Sequence, residues 1–137
     1  LPIYGSQAIS LVIDYKVNND GYDLYLNCGR EKQKISMKDI LNKLKETNYG
    51  EMILHSMDKD GTGNGYDLEI LHKFNNFPNK PILLMGGAGK PEHILEALKL
   101  ERISGVVTAN IFNFIGNGLK ITRENAIKEG IKVVKLV

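Results

Sequence analysis

Cysteine is all but missing from this chain of 137 residues: Cys28 stands alone. That excludes an intramolecular disulfide framework and fits a reducing, cytoplasmic setting. A dominant sign of charge is missing too. Lys and Arg number 18 against 16 Asp and Glu, a formal net charge of +2, too small a surplus to argue for nucleic acid. No basic cluster interleaved with aromatics occurs. No apolar run is long enough to span a bilayer, and no signal-peptide pattern opens the chain. Nucleic acid and membrane are therefore not expected as partners. His55, His72 and His93 fall on different elements without metal-ligand spacing, so no metal is expected, and no cofactor either. The first residue is Leu1 rather than Met, as in a fragment or a processed product. The length suits one domain or a piece of a larger one.

What is present is an alternation of apolar runs and amphipathic stretches. "AISLVID" (Ala8 to Asp14) reads as a buried strand. "DGYDLYLNCG" offers a turn at Asp20-Gly21 and then alternates, which predicts a small hairpin. Ser36 is a good N-cap with Asp39 three residues on, and Met37, Ile40, Leu41 and Leu44 make the stripe of a helix. "EMILHS", "KPILLM" and "SGVVTA" read as three more strands. Helices are predicted over "YDLEILHKF", over "PEHILEALKL" with Pro91 in its first turn, and from "TRENAIKEG", with "NIFNF" as a short helical turn. The strands are apolar without clean alternation, as strands buried on both faces are, so the sheet is expected to be parallel. A small doubly wound sheet and half of a (β/α)₈ barrel both fit. In both, chemistry gathers at the carboxyl ends of the strands. Asp14, Ser56 to Asp60, Gly86 to Gly89 and Ala109-Asn110 fall there.

Two glycine-rich loops carry the signal. "GGAGKPEH" puts glycines between a strand and a helix start, where close backbone approach and free N–H groups make an anion cradle. It matches neither the G-x-x-x-x-G-K-[ST] nor the G-x-G-x-x-G spacing; its bland reading is a tight strand–helix connection. "DKDGTGNGYD" places three carboxylates and three glycines directly after an apolar run. Its glycine falls at the wrong position for a calcium loop of the EF-hand type, and its bland reading is a solvated turn. Asp14 ends an otherwise apolar strand, where a carboxylate without a partner is costly to bury; it could equally cap a turn. His55 reads more readily as a packed, hydrogen-bonded histidine than as a functional one, and Cys28 has no base beside it.

Four of these stretches, in this order, are similar to the cyclase subunit of imidazole glycerol phosphate synthase, the HisF-type family. "GSQAISLVIDYK" resembles its fifth-strand segment, and "GEMILHSMDKDGTGNGYDLEIL" its sixth strand with the Asp-Arg-Asp-Gly-Thr loop. "PILLMGGAGKPEHILEAL" resembles the seventh-strand Gly-Gly-Ala-Gly segment, and "GVVTANIFNF" the end of the eighth. The resemblance implies an α/β fold of the (β/α)₈ TIM-barrel family, with residues 1–137 as its C-terminal half: one piece, four βα units, strands five to eight. It implies ring closure on a phosphoribulosyl-formimino carboxamide ribonucleotide with ammonia from a glutaminase partner. The products would be imidazole glycerol phosphate and an aminoimidazole carboxamide ribonucleotide. Asp14 matches one of two catalytic aspartates, and the other belongs to a first strand this chain lacks. The phosphate site maps onto Asp60, Gly61, Gly86, Gly87, Ala109 and Asn110. The departures line the same mouth: Met85 for a small hydroxyl residue, Asn110 for Ser, Cys28 for Ser, and no Thr-Gly after the hairpin. Two alternatives follow from them. One is a paralogue that delivers ammonia to the acetamido group of a nucleotide sugar in surface-polysaccharide synthesis. The other is a half-barrel that binds phosphate without catalysis. A half-barrel by itself is expected to self-associate.

Overall fold

The structure is a computed structural model that describes residues 5–109, 111 and 116–133. A single 3₁₀ turn, Ser6–Ala8, precedes β1 (Ser10–Asn18) and β2 (Gly21–Leu26). There follow β3 (Glu31–Lys32), α1 (Met37–Leu44), β4 (Glu51–Ser56), α2 (Glu69–Lys73), β5 (Ile82–Met85), α3 (Pro91–Leu98), β6 (Ile103–Val107) and α4 (Gly118–Lys128). The sheet runs β3-β2-β1-β4-β5-β6; β1, β4, β5 and β6 are mutually parallel, and β2 and β3 are antiparallel additions. Each parallel strand lies beside its predecessor with no reversal of order. A doubly wound sheet reverses at its switch point; a barrel does not.

Local chemistry explains the units. The Ser36 side chain accepts the Asp39 N–H at 3.1 Å, so the predicted cap opens α1. Pro91 stands at the first position of α3, where its missing N–H costs nothing. β1 runs four residues past the predicted Asp14 because Asp14 to Asn18 pair with Tyr25 to Gly21 of the hairpin. An Asx turn, with Asp20 N–H donated to Asn18 Oδ1 at 2.8 Å, reverses the chain there. α2 is only Glu69–Lys73, shorter than predicted. Upstream, the Tyr66 hydroxyl donates to the Val107 carbonyl and Asp67 accepts from Tyr15, so both residues are held on the sheet instead of in the helix.

One face of the sheet holds the core. Ile13 and Tyr15, Met52 and Leu54, Ile82 and Leu84, and Ile103 are buried against Leu41 and Leu44 of α1, Ile70 of α2 and Ile94 and Ala97 of α3. Each fully buried leucine contributes on the order of 2 kcal/mol. The opposite face carries Val12, Asp14, Ile53, His55, Leu83 and Met85, none of them fully buried, and Val12 is 51% exposed. The expectation of burial on both faces thus holds for one face within this chain. A half-barrel would leave the outer edge of "AISLVID" unpaired, but the hairpin covers β1 from Asp14 onward. Ser10 to Ile13 remain unpaired on that side among the described residues, and an apolar groove of about 280 Å³ lined by Val12, Leu24, Leu26, Ile35 and Ile40 opens beside them. At the other end no described strand covers β6.

An open strand edge and an apolar sheet face are both templates for association. The purified 137-residue chain is therefore expected to sediment as a dimer or higher oligomer at micromolar concentration. A stable, well-folded monomer in the same experiment would contradict the half-barrel reading of the open face.

Candidate functional site

Register places four side chains in one row across the open face. Asp14 pairs with His55, His55 with Met85, and Met85 with Val107. The row lies toward the carboxyl ends of the parallel strands. The loops that follow β4, β5 and β6 rise from it and enclose a cavity of about 340 Å³. Asp60 and Gly61 line one wall, Met85 to Ala88 the floor and second wall, and Val107 to Ala109 the third. Asp60, Gly61, Gly86, Gly87 and Ala109, expected from the sequence to act together, meet in this cavity. Asp14 does not line it and reaches it only through intervening side chains. Asn110 lies outside the described residues.

The loop after β4 contains three carboxylates with three placements. The Asp58 carboxylate accepts the Val17 N–H at 2.7 Å. Asp67 is buried and accepts the Tyr15 hydroxyl at 3.0 Å. Burial, then the Asp67 charge, push the Tyr15 phenol far above its ordinary value, so it stays protonated and remains a donor. Those two carboxylates tie the loop's ends to β1. Asp60 stands between them at the cavity.

The loop after β5 supports the first one through its glycines. Gly65 N–H donates to the Gly87 carbonyl at 2.7 Å. A Cβ on Gly87 would sit 2.1 Å from the Gly65 carbonyl oxygen, and one on Gly89 would sit 2.5 Å from that of Gly63. The close approach these glycines allow is therefore to the neighbouring loop's backbone as well as to any ligand. His93, in the first turn of α3, accepts the Gly89 N–H on Nδ1 at 3.2 Å. Burial first, and the Lys90 ammonium second, hold its pKa below the usual 6.5, with Lys59 pushing the same way. Glu96 and Glu92 act on His93 in the opposite direction, so the charge around these loops is mixed.

The sequence reads His55 as a packed, hydrogen-bonded residue. It is hydrogen-bonded, Nδ1 to Asp14 Oδ1 at 2.8 Å, but it stands on the open face. The signal was available: Asp14 and His55 occupy the fifth position of "SLVID" and "EMILH", and two parallel strands laid side by side by their apolar runs bring them together. Thr108 on the cavity wall had no such signal. Among the described residues no cluster of His, Cys, Asp and Glu could hold a metal ion, and no helix is long and apolar enough to cross a membrane.

Residues 1–117 match the profile of the family described as Histidine biosynthesis protein. The chain is 38% identical over 133 residues to "Imidazole glycerol phosphate synthase subunit HisF" of Leptospira biflexa, an alignment covering 96% of this chain and 52% of the relative. Identity to the protein of that name from Hydrogenobaculum sp. is 38% over 81% of this chain and 44% of the relative. It is 35% over 90% of this chain and 46% of the relative for a Parasynechococcus marenigrum protein provisionally named as subunit hisF2. The chain spans about half the length of the curated relatives it matches.

Two outcomes follow from the loop geometry. Gly87→Ala puts a methyl group into the Gly65 carbonyl at a φ of +104°, whereas Gly61→Ala, at φ +75°, meets nothing within 4 Å. Urea unfolding should show a loss of at least about 2 kcal/mol for Gly87→Ala and about 1 kcal/mol for Gly61→Ala. Equal losses would refute the contact. The second outcome concerns acid. His93 binds a proton less readily in the folded state than unfolded, so its contribution is complete above about pH 6.5 and is lost as pH falls through its lowered folded pKa. Thermal midpoints measured from pH 7.5 to 5 should fall more for the native chain than for His93→Gln; parallel curves would remove His93 from the account.

Proposed function

The chain belongs to the Histidine biosynthesis protein family, a family of (β/α)₈ barrels, and on that premise we propose that it supplies half of the mouth of a cyclase that uses ammonia. The substrate would be the phosphoribulosyl-formimino carboxamide ribonucleotide, and the products imidazole glycerol phosphate and an aminoimidazole carboxamide ribonucleotide. A glutaminase subunit would deliver the ammonia. The observation that carries this reading is the shared end of the sheet. A carboxylate pair, Asp14 and Asp60, and a glycine-lined cavity of about 340 Å³ sit at the same carboxyl-terminal rim.

The chemistry asks for two things. Ring closure moves protons at a carbonyl and an amine, work for a positioned carboxylate. A long phosphorylated substrate also needs an anchor that holds its reacting atoms in place. In this reading Asp14 is the general acid–base. The phosphate rests against the backbone of Asp60-Gly61 and Gly86-Gly87 and beside Ala109.

One observation favours a second substrate for the same fold. Met85 forms part of the cavity wall, where a thioether offers no hydrogen bond of the kind a small hydroxyl would give a phosphate. The alternative is a nucleotide sugar whose acetamido group receives the ammonia, because the methyl of that group would find an apolar contact in the thioether.

Asp14→Asn is the deciding variant. In the full-length protein supplied with free ammonia, turnover should drop by about 10²-fold or more with little change in KM. Near-normal turnover would remove Asp14 from the acid–base role. Offering the ribonucleotide and an acetamido nucleotide sugar in parallel decides between the two substrates.

A further inference from the structure

His55 occupies the middle of an unusual arrangement. Its Nδ1 lies 2.8 Å from Asp14 Oδ1. Its Nε2 is buried, has no hydrogen-bond partner among the described residues, and lies 3.6 Å from Asp60 Oδ2. The imidazole side chain is 17% exposed, Asp14 27% and Asp60 58%. A buried polar atom left without a partner is costly, and natural proteins keep few of them. Here the unpartnered atom points at the one carboxylate of this group that lines the cavity. With Asp14 ionised, Nδ1 carries a proton and donates it, which leaves Nε2 as the variable position. When Nε2 is bare, its lone pair faces a carboxylate oxygen. When it is protonated, the ring donates to both carboxylates, and a shift of well under 1 Å closes the second contact to hydrogen-bond distance.

We propose that His55 is a positioning residue for proton transfer, joining Asp14 on β1 to Asp60 at the cavity as one carboxylate–imidazole–carboxylate unit. The inference rests on the reading of Asp14 as the acid–base group and adds what that reading lacks, a path from Asp14 to the cavity it does not line. A proton taken up at Asp60 passes to Nε2 while Nδ1 gives its own proton to Asp14; the return step reverses both transfers. Nothing is consumed, and the two carboxylates hold one fewer negative charge between them after uptake.

Two variants divide the ring. The amide nitrogen of His55→Asn replaces Nδ1 and leaves the Asp60 side empty; that of His55→Gln replaces Nε2 and leaves the Asp14 side empty. In the full-length protein with free ammonia, each should lower kcat roughly tenfold or more at unchanged KM and remove a limb of the pH–rate profile. Retention of both rate and profile in either variant overturns the proposal. A second measurement needs no turnover. In the native protein labelled with ¹⁵N-histidine, the His55 Nε2 resonance should move on Asp60→Asn and the Nδ1 resonance on Asp14→Asn, with neither moving on Asp58→Asn. An Nε2 resonance indifferent to Asp60→Asn overturns the proposal whatever the substrate. No turnover of either substrate by the native protein, with the resonances behaving as stated, would count against the cyclase reading while supporting the His55 unit.

Discussion

The whole rim depends on two backbones that touch with no side chain between them. Gly87 presses against the Gly65 carbonyl, Gly89 against the Gly63 carbonyl, and Gly86 against the Ser56 carbonyl, each closer than any Cβ would allow. This contact folds the acidic loop down onto the end of β5. Without it the loop would stand out in water, Asp60 would not reach the neighbourhood of His55, and the cavity would lose a wall. Glycine is required here for space, and at Gly87 also for a backbone turned to a φ of +104°. The anion cradle proposed for these loops would follow from that packing: a backbone that can approach another backbone can also approach a phosphate.

Charge is then distributed so that the loop is held firmly at both ends and leaves one group available. A hydrogen bond to a charged partner contributes about 1.5–3 kcal/mol against roughly 1 for a neutral pair. Asp67, buried with the Tyr15 hydroxyl, is of this charged kind, while Asp58, on the Val17 N–H, makes an exposed bond that solvent weakens. Tyr15 sits on β1 immediately after Asp14, its ring on the core face while Asp14 faces the other way. The same strand thus anchors the loop from one face and presents the carboxylate from the other. A change in β1 register would move both together, which couples the order of the loop to the position of Asp14.

Much of this was legible in the sequence, for identifiable reasons. The strand–loop–helix order follows from apolar runs and from caps such as Ser36 and Pro91, which are local signals. The glycine loops could be read because glycine is costly unless a conformation or a close approach requires it. What could not be read was the set of partners. Asp58, Asp60 and Asp67 look alike in "DKDGTGNGYD", and only the fold, through Val17 and Tyr15, gives them different work. His55 and Asp14 are 41 residues apart, so their matching places in two strands count only once those strands are known to be parallel neighbours in register. Periodicity overstates the length of α2 because it cannot see that Tyr66 and Asp67 are already hydrogen-bonded elsewhere.

The polar row and the apolar row beneath it make the same demand on one face for different reasons. Val12, Ile53 and Leu83 gain from being covered, since apolar surface taken out of water is favourable at about 25 cal/mol per Å². Asp14, His55 and Asp60 need water excluded for a different reason: charges in a dry, preorganised site act on one another far more strongly than charges in bulk solvent. Two carboxylates and an imidazole left open to water would still hydrogen-bond, but solvent would compete at each nitrogen and short-circuit any ordered transfer between them. Cover over the lower row would therefore do two things at once. It would stabilise the sheet through the hydrophobic rows, and it would set the dielectric in which the upper row works. In a sheet of this kind, the stability of the barrel and the reactivity of its mouth depend on the same surface being closed.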